Sequence, residues 1–201
     1  VEAIRMNSAD EDLMSDVVTC VTPALLPHLD RFKEFLLSLG VKRWRLFSIF
    51  PVGRAAKDET LQLNNEEFTY MMEFIEQTRK EGRINLSYAC EGFLGGYEAE
   101  VRDHFYMCNA GVSIASIRVN GDISGCTSVR ANFTQGNIYK DDFWDVWENR
   151  FETYRNRQWM RKIEPCNECQ LFRYCEGGGM HLRREDGTLM LCHHNKIQGN
   201  S

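Results

Sequence analysis

At 201 residues the chain is long enough to bury one large core or two small ones, and it needs no covalent staples to fold. Its formal net charge of -5 excludes the global basic field that draws nucleic acid, and no apolar run approaches the length that crosses a bilayer. Eight cysteines in an ordinary composition, with no secretory signal, read as metal or redox ligands in a reducing, cytoplasmic compartment rather than as a disulfide framework.

The opening residues, Val1 to Met6, look like the last turns of an amphipathic helix that lacks a start signal, so the expectation is a C-terminal portion of a longer protein. Asp16 to Val21 is a short apolar run suited to a buried strand, and Cys20 within it reads as a small buried hydrophobe. Leu25, Leu29, Phe32, Leu36 and Leu39 repeat at helical spacing, and Gly40 supplies a stop. Arg43 to Phe50 reads as a second strand. Asn64 with Glu67 resembles a capping box, and Phe68, Met71, Met72 and Ile75 form the apolar face of the helix behind it. Gly82 ends that helix, and Ile84 to Ala89 is a third strand. Strand, helix, strand, helix, strand is the grammar of an α/β layer with parallel pairing.

Beyond Cys90 the grammar changes. Glu100, Asp103 and His104 read as the wet face of a helix rather than an acid-base pair. Val112 to Val119, the Asn120-Gly121 dipeptide and Asp122 to Cys126 predict a hairpin with a two-residue turn. Asp141 is placed to cap a helix that carries Phe143, Val146 and Trp147 inward. The spacing of Phe143, Trp144, Trp147, Phe151 and Trp159 points to core packing rather than a platform for bases. The basic run from Arg150 to Lys162 is flanked by carboxylates and reads as a solvated face. Asp186-Gly187 suggests a turn that delivers the last cysteine.

The cysteines carry the chemistry. Cys166, Cys169, Cys175 and Cys192 are spaced C-x2-C-x5-C-x16-C, and four thiolates so arranged can close around one metal centre, zinc or iron-sulfur. A two-residue gap lets Cys166 and Cys169 grip neighbouring corners from one tight turn. Structural zinc commonly uses two such knuckles and only one is present, which tilts the reading towards iron-sulfur. His193 and His194 adjoin Cys192, and two readings are open: a ring N–H that reaches a cluster sulfur, or polar surface residues.

From Cys108 to Cys192 the chain resembles the SPASM domain, the C-terminal extension of many radical SAM enzymes. Cys108, Gly121 and Cys126 fit the first part of its signature, and Cys166, Cys169, Cys175 and Cys192 fit most of the rest. Asn120-Gly121-Asp122, Gly136-Asn137-Ile138 and the helix bearing Trp147 stand where that family has its "NGD", "GNI" and tryptophan helix. Residues 1–83 resemble the last two βα units of the radical SAM partial barrel, with Pro51-Val52-Gly53-Arg54-Ala55 matching a "PxGRA" stretch.

The resemblance implies an α/β fold: the C-terminal part of a partial (β/α) barrel over residues 1–90, a connector over 91–107, and a small cysteine-rich SPASM domain with a β-hairpin and helices over 108–201. It assigns Cys166, Cys169, Cys175 and Cys192 to a distal auxiliary 4Fe-4S cluster, and Cys108 and Cys126 to a proximal one. The remaining proximal ligand of the family falls on Gly179, which has no side chain to offer. Three readings of that second set stay open: Cys90 joining Cys108 and Cys126 with His181, water or a substrate atom completing it; a 2Fe-2S form; or no cluster.

In the intact family a reduced 4Fe-4S cluster on a C-x3-C-x2-C loop cleaves SAM. The resulting radical abstracts hydrogen, commonly from a peptide or protein, with an electron donor as a further partner. That loop occurs nowhere in these residues, so the parent is expected to be the enzyme and these residues alone inactive. No catalytic residue can be named. A free-standing iron-sulfur electron carrier and a zinc-stabilised binding module are the alternatives.

Overall fold

The apolar alternation of the first half is realised as three parallel strands. In the computed structural model, which describes residues 1–89 and 91–199, a first helix, α1 (Glu2–Ala9), precedes β1 (Val17–Cys20). Then come α2 (Leu29–Ser38), β2 (Arg43–Phe47), α3 (Asn65–Glu81) and β3 (Asn85–Tyr88). The sheet order is β1-β2-β3, with Val17 opposite Trp44 and Trp44 opposite Leu86. Parallel neighbours require a crossover connection, and α2 and α3 provide both.

Period-two alternation sends Trp44, Leu46, Leu86 and Tyr88 to one face, where they are buried with Leu36 of α2 and Phe68, Met71, Met72 and Ile75 of α3. Trp44 lies between the rings of Phe32 and Phe74 and donates its indole N–H to Thr19 Oγ1 at 2.9 Å. Val18, Cys20, Arg43, Arg45, Phe47 and Ser87 alternate to the opposite face, where Val18 and Cys20 are exposed and the others are half-buried. Cys20 is therefore not the buried hydrophobe expected of it: it is exposed, on the face opposite the one buried with α2 and α3.

Local signals set the helix ends. Asn64 Oδ1 accepts from the Glu67 N–H at 2.9 Å and Glu67 Oε2 accepts from the Asn64 N–H at 2.8 Å, a complete capping box. Gly82, at φ +68°, ends α3 in the left-handed region. A single-turn helix, α4 (Glu98–Val101), follows, so Asp103 and His104 lie beyond it rather than on its face. Asp103 pairs instead with Arg79. The C-terminal helix His193–Gln198 returns to this unit, with the His193 ring packed on Phe68 and Tyr88. Residues 1–89, 94–105 and 193–199 thus form one compact unit.

Residues 91–93 and 106–192 form the second. Its sheet is small and antiparallel: β4 (Ser116–Ile117), β5 (Asp122–Ser124) and β6 (Gly136–Asn137), in that order. The hairpin strands are much shorter than the sequence suggests, and Val119 is fully exposed. The connection is also longer by one residue. Arg118 donates to the Asp122 carbonyl and only Gly121, at φ +86°, is left-handed, so Val119 to Gly121 make a three-residue loop. A two-residue type I′ turn would need Asn120 at positive φ as well.

Helix α5 (Phe143–Asn149) is capped by Asp142, whose side chain accepts from the Asp145 N–H; Asp141, the expected cap, binds the Asn137 N–H of β6 and Arg150 instead. Those two bonds, the Asn137 N–H first, hold the Asp141 carboxyl below the usual carboxylate range. Val146 points into the core as expected, with Phe143 and Trp147 against it, whereas Trp144 is 65% exposed. Short helices α6 (Glu152–Arg155) and α7 (Phe172–Cys175) complete the unit. Its core gathers Ile123, Val146, Phe151, Tyr154, Met160 and Phe172. Among the described residues no helix is long and apolar enough to cross a membrane.

Replacing Asn64 with Ala removes the cap of α3 and is expected to cost about 1 kcal/mol, read as a lower urea midpoint with an unchanged slope.

Candidate metal centre

Each cysteine of the C-x2-C-x5-C-x16-C set is placed by a turn. The Cys169 N–H donates to the Cys166 carbonyl at 3.4 Å and the Phe172 N–H to the Cys169 carbonyl at 3.2 Å, so the segment coils tightly into α7. Phe172, buried, anchors that helix, and Cys175 is its last residue. The chain then passes through Glu176, Gly177 and Gly178, all left-handed at φ 46°, 81° and 80°. Three successive positive φ values are tolerable here because two belong to glycine. Beyond them an antiparallel bridge from Arg183 to Leu189, closed by Gly187 at φ +84°, leads back to Cys192.

The four thiols are neighbours. Cys166 is buried and the other three are half-buried. Burial pushes the Cys175 thiol up to about 11, opposed by a bond from the Gly177 backbone; Cys166, Cys169 and Cys192 stand near enough to disfavour its charge further. Among the described residues, however, no three Cys, His, Asp or Glu side chains are gathered closely enough to hold a metal ion. The donor set itself fits an iron-sulfur cluster or a soft metal in its chemistry, because all four expected ligands are thiols, three of them near enough to Cys175 to act on its charge, and none is a carboxylate.

Two arginines build the walls of this unit: Arg183, which the sequence did not single out, and Arg157 of the basic run. Arg183, 1% exposed, donates to Cys166 Sγ at 3.1 Å, the Gly177 carbonyl at 2.6 Å and the Gly187 carbonyl at 2.9 Å. Arg157, 5% exposed, donates to the carbonyls of Tyr154, Gly178 and Cys108. The basic run is solvated as expected except at Arg157, which is interior; Arg155 and Arg161 are exposed, Arg155 lying over the Trp147 ring and binding the Gly111, Trp147 and Glu148 carbonyls and Arg161 lying over the Phe172 ring. The signal available in the sequence was the interleaving of these arginines with aromatic residues.

Cys108 and Cys126 both pack half-buried against the second unit's core, and Cys126 Sγ accepts from the Ser128 N–H at 3.5 Å. Cys90 lies outside the described residues. Gly179 has ordinary extended backbone, φ -71° and ψ 134°, so its conformation does not demand glycine. Space does: a Cβ there would stand 2.5 Å from His181 Cε1, 2.8 Å from His181 Nδ1 and 3.0 Å from the Glu91 carbonyl. The imidazole of His181 fills the room that a side chain at 179 would need. His194 lies in the other unit, where its Nδ1 would be 2.9 Å from a Cβ at Gly95.

Residues 108–170 match the model of SPASM, an iron-sulfur cluster-binding domain, and Cys175 and Cys192 fall just beyond the matched stretch. The chain is thus similar to radical SAM/SPASM proteins, with the family match confined to residues 108–170. Its relatives include an AdoMet-dependent heme synthase of Methanosarcina barkeri, 22% identical over 83% of this chain and 51% of the relative. A second heme synthase, from Oleidesulfovibrio alaskensis, is also 22% identical, over 83% of this chain and 48% of the relative. The chain thus spans about half the length of the curated relatives it matches.

Among solved structures, native anSMEcpe with bound AdoMet superimposes with a TM-score of 0.64 at 16% identity, covering 94% of this chain and 54% of that one. Streptococcus suis SuiB does so with 0.57 at 20% identity, covering 81% and 41%. These likenesses establish the fold: the end of a partial (β/α) barrel followed by a SPASM domain.

Substituting Gly179 by Ala drives a methyl group into His181 and the Glu91 carbonyl, and a loss of about 1–3 kcal/mol is expected. His181→Ala in the same chain should return part of it, so a double-mutant cycle on unfolding midpoints would show coupling; strict additivity would refute the contact.

Proposed function

We propose that these residues form the wall of a radical SAM barrel and the auxiliary-cluster module of an enzyme that acts on a peptide or protein. The observation that carries this reading is the neighbourhood of Cys166, Cys169, Cys175 and Cys192 around α7, in the unit whose residues 108–170 match the iron-sulfur domain. These four hold the distal 4Fe-4S cluster. Cys108 and Cys126 are the residue of a proximal set in which position 179 offers no ligand and His181 occupies its space; Cys90 is the remaining candidate from the sequence. The division of the chain is a barrel end over 1–90, a connector over 91–107 and the SPASM domain over 108–201.

When bound, the cluster supplies one-electron chemistry, and an external electron donor is the partner it requires. The protein's own part is to keep the sulfurs together and partly dry and to place a cation beside one of them. The bare sheet face in the first unit, with Arg43, Arg45 and Ser87 half-buried, is the part of the barrel wall that would face substrate. The matched anSMEcpe structures include ones with bound Kp18Cys and Cp18Cys peptides, which supports a peptide as the substrate. The heme synthase relatives favour a second reading, a tetrapyrrole substrate. Because the C-x3-C-x2-C loop is not among these residues, they are not expected to cleave SAM unaided.

Anaerobic reconstitution with iron and sulfide tests the assignment. Uptake of about four irons per chain, with cluster absorption and a paramagnetic signal after reduction, is the expected result. Cys166→Ser should abolish both signals while circular dichroism stays unchanged. Uptake of zinc without any cluster signal would replace the iron-sulfur reading by a structural zinc module, and about eight irons would mean that the proximal site is filled after all.

A further inference from the structure

The geometry points to Arg183 as the residue that sets the reduction potential of the distal cluster, through its hydrogen bond to the sulfur of Cys166. The inference rests on the four-cysteine reading of the preceding section. Arg183 is 1% exposed, and its hydrogen bonds among the described residues go to two carbonyls and a sulfur, none to a carboxylate. A guanidinium does not shed its proton in a protein, so a full positive charge is held in the interior. Two of its three bonds go to neutral carbonyls, of Gly177 and Gly187; the third, at 3.1 Å, goes to Cys166 Sγ. Carbonyl dipoles offset such a charge only in part, whereas a metal-bound thiolate offsets it with an opposite charge.

Arg157 provides the contrast. It is as deeply placed, yet all three of its acceptors are backbone carbonyls, which makes it a tie between segments. Arg183 makes two ties of the same kind and adds a sulfur. Its position is also fixed from both sides: the backbone at 183 bridges to Leu189, and Gly177, whose Cβ would stand 2.9 Å from the Arg183 Nη2, leaves room for the guanidinium beside Cys166.

Reduction adds one electron, from an external donor, to a cluster already carrying four thiolates. A cationic donor on one of those sulfurs stabilises the more negative, reduced form more than the oxidised one, and so raises the potential. Removing it makes the cluster harder to reduce. Nothing in a purely structural role requires that shift.

The test is a redox titration of the reconstituted chain beside R183M and R183K, with iron content and unfolding midpoint measured in parallel. R183M is expected to retain its iron and to shift the one-electron equilibrium about tenfold towards the oxidised form, equivalent to a midpoint lower by about 59 mV. R183K, which keeps the charge but not the fork, should fall between R183M and the unsubstituted chain. An R183M cluster that is less stable but titrates at the original potential would overturn the inference. If R183M does not fold, R183K decides: a potential displaced downward at full iron content supports the role, and an unchanged one refutes it. A parent chain that binds no iron would instead overturn the cluster assignment itself.

Discussion

Backbone carbonyls that no strand or helix engages must find donors elsewhere, and in the second unit arginines supply them. The strands there are two or three residues long and helices α6 and α7 four each, so long stretches of chain run without a ladder. Arg155 collects the carbonyls of Gly111, Trp147 and Glu148; Arg157 those of Tyr154, Gly178 and Cys108; Arg183 those of Gly177 and Gly187. Arg155 and Arg157 join segments far apart in sequence, through Gly111 and Cys108, whereas the two carbonyls that Arg183 binds lie close to it along the chain. The planar fork of the guanidinium suits this task, since several fixed donors can serve separate acceptors at once. The cysteine-bearing turns thus inherit their positions from three side chains as much as from the hydrophobic core.

Tyr154 does comparable work from inside that core. Its ring lies on Phe151 and Phe133, and its hydroxyl bonds with Ser124 of β5 at 2.9 Å and the Phe133 carbonyl at 3.0 Å. Gly125, the residue before Cys126, is pressed against the same ring: a Cβ there would stand 2.3 Å from it. The backbone beside Cys126 is therefore fixed by an aromatic side chain, as the backbone of Cys108 is fixed by Arg157. Both cysteines of the incomplete set have well-defined supports, although position 179 contributes no ligand.

The first unit was legible because its signals are periodic and local. Leu36, Phe68, Met71, Met72 and Ile75 fall at helical spacing and are buried, Trp44 and Leu46 alternate along a strand and are buried, and the Asn64–Glu67 box and Gly82 stand where α3 begins and ends. Its errors come from the same rule. Cys20 shares the apolar composition of β1 but falls on the open face, and composition does not say which face a strand presents. The second unit resisted because its order is long-range. That Asp142 rather than Asp141 caps α5 depends on a bond from Asp141 to β6. Arg157 and Arg183 look like surface charges until the carbonyls and the sulfur that receive them are known. The cysteine spacing could be read, yet the cation beside Cys166 could not.

Two opposing electrostatic effects meet at the four thiols. Burial first, and then the neighbouring sulfurs, push the Cys175 thiol up to about 11, so a bare thiolate is disfavoured at that position. Arg183 acts in the other direction at Cys166, placing a positive charge within hydrogen-bond distance of one sulfur. A metal centre bound there would answer both: its cations would offset the Cys175 thiolate that burial disfavours, and the remaining net negative charge would offset the buried guanidinium. By that argument assembly of the centre and stability of the segment from Cys166 to Cys192 are coupled. The arginine contributes twice, through the carbonyls it ties and through the sulfur it faces.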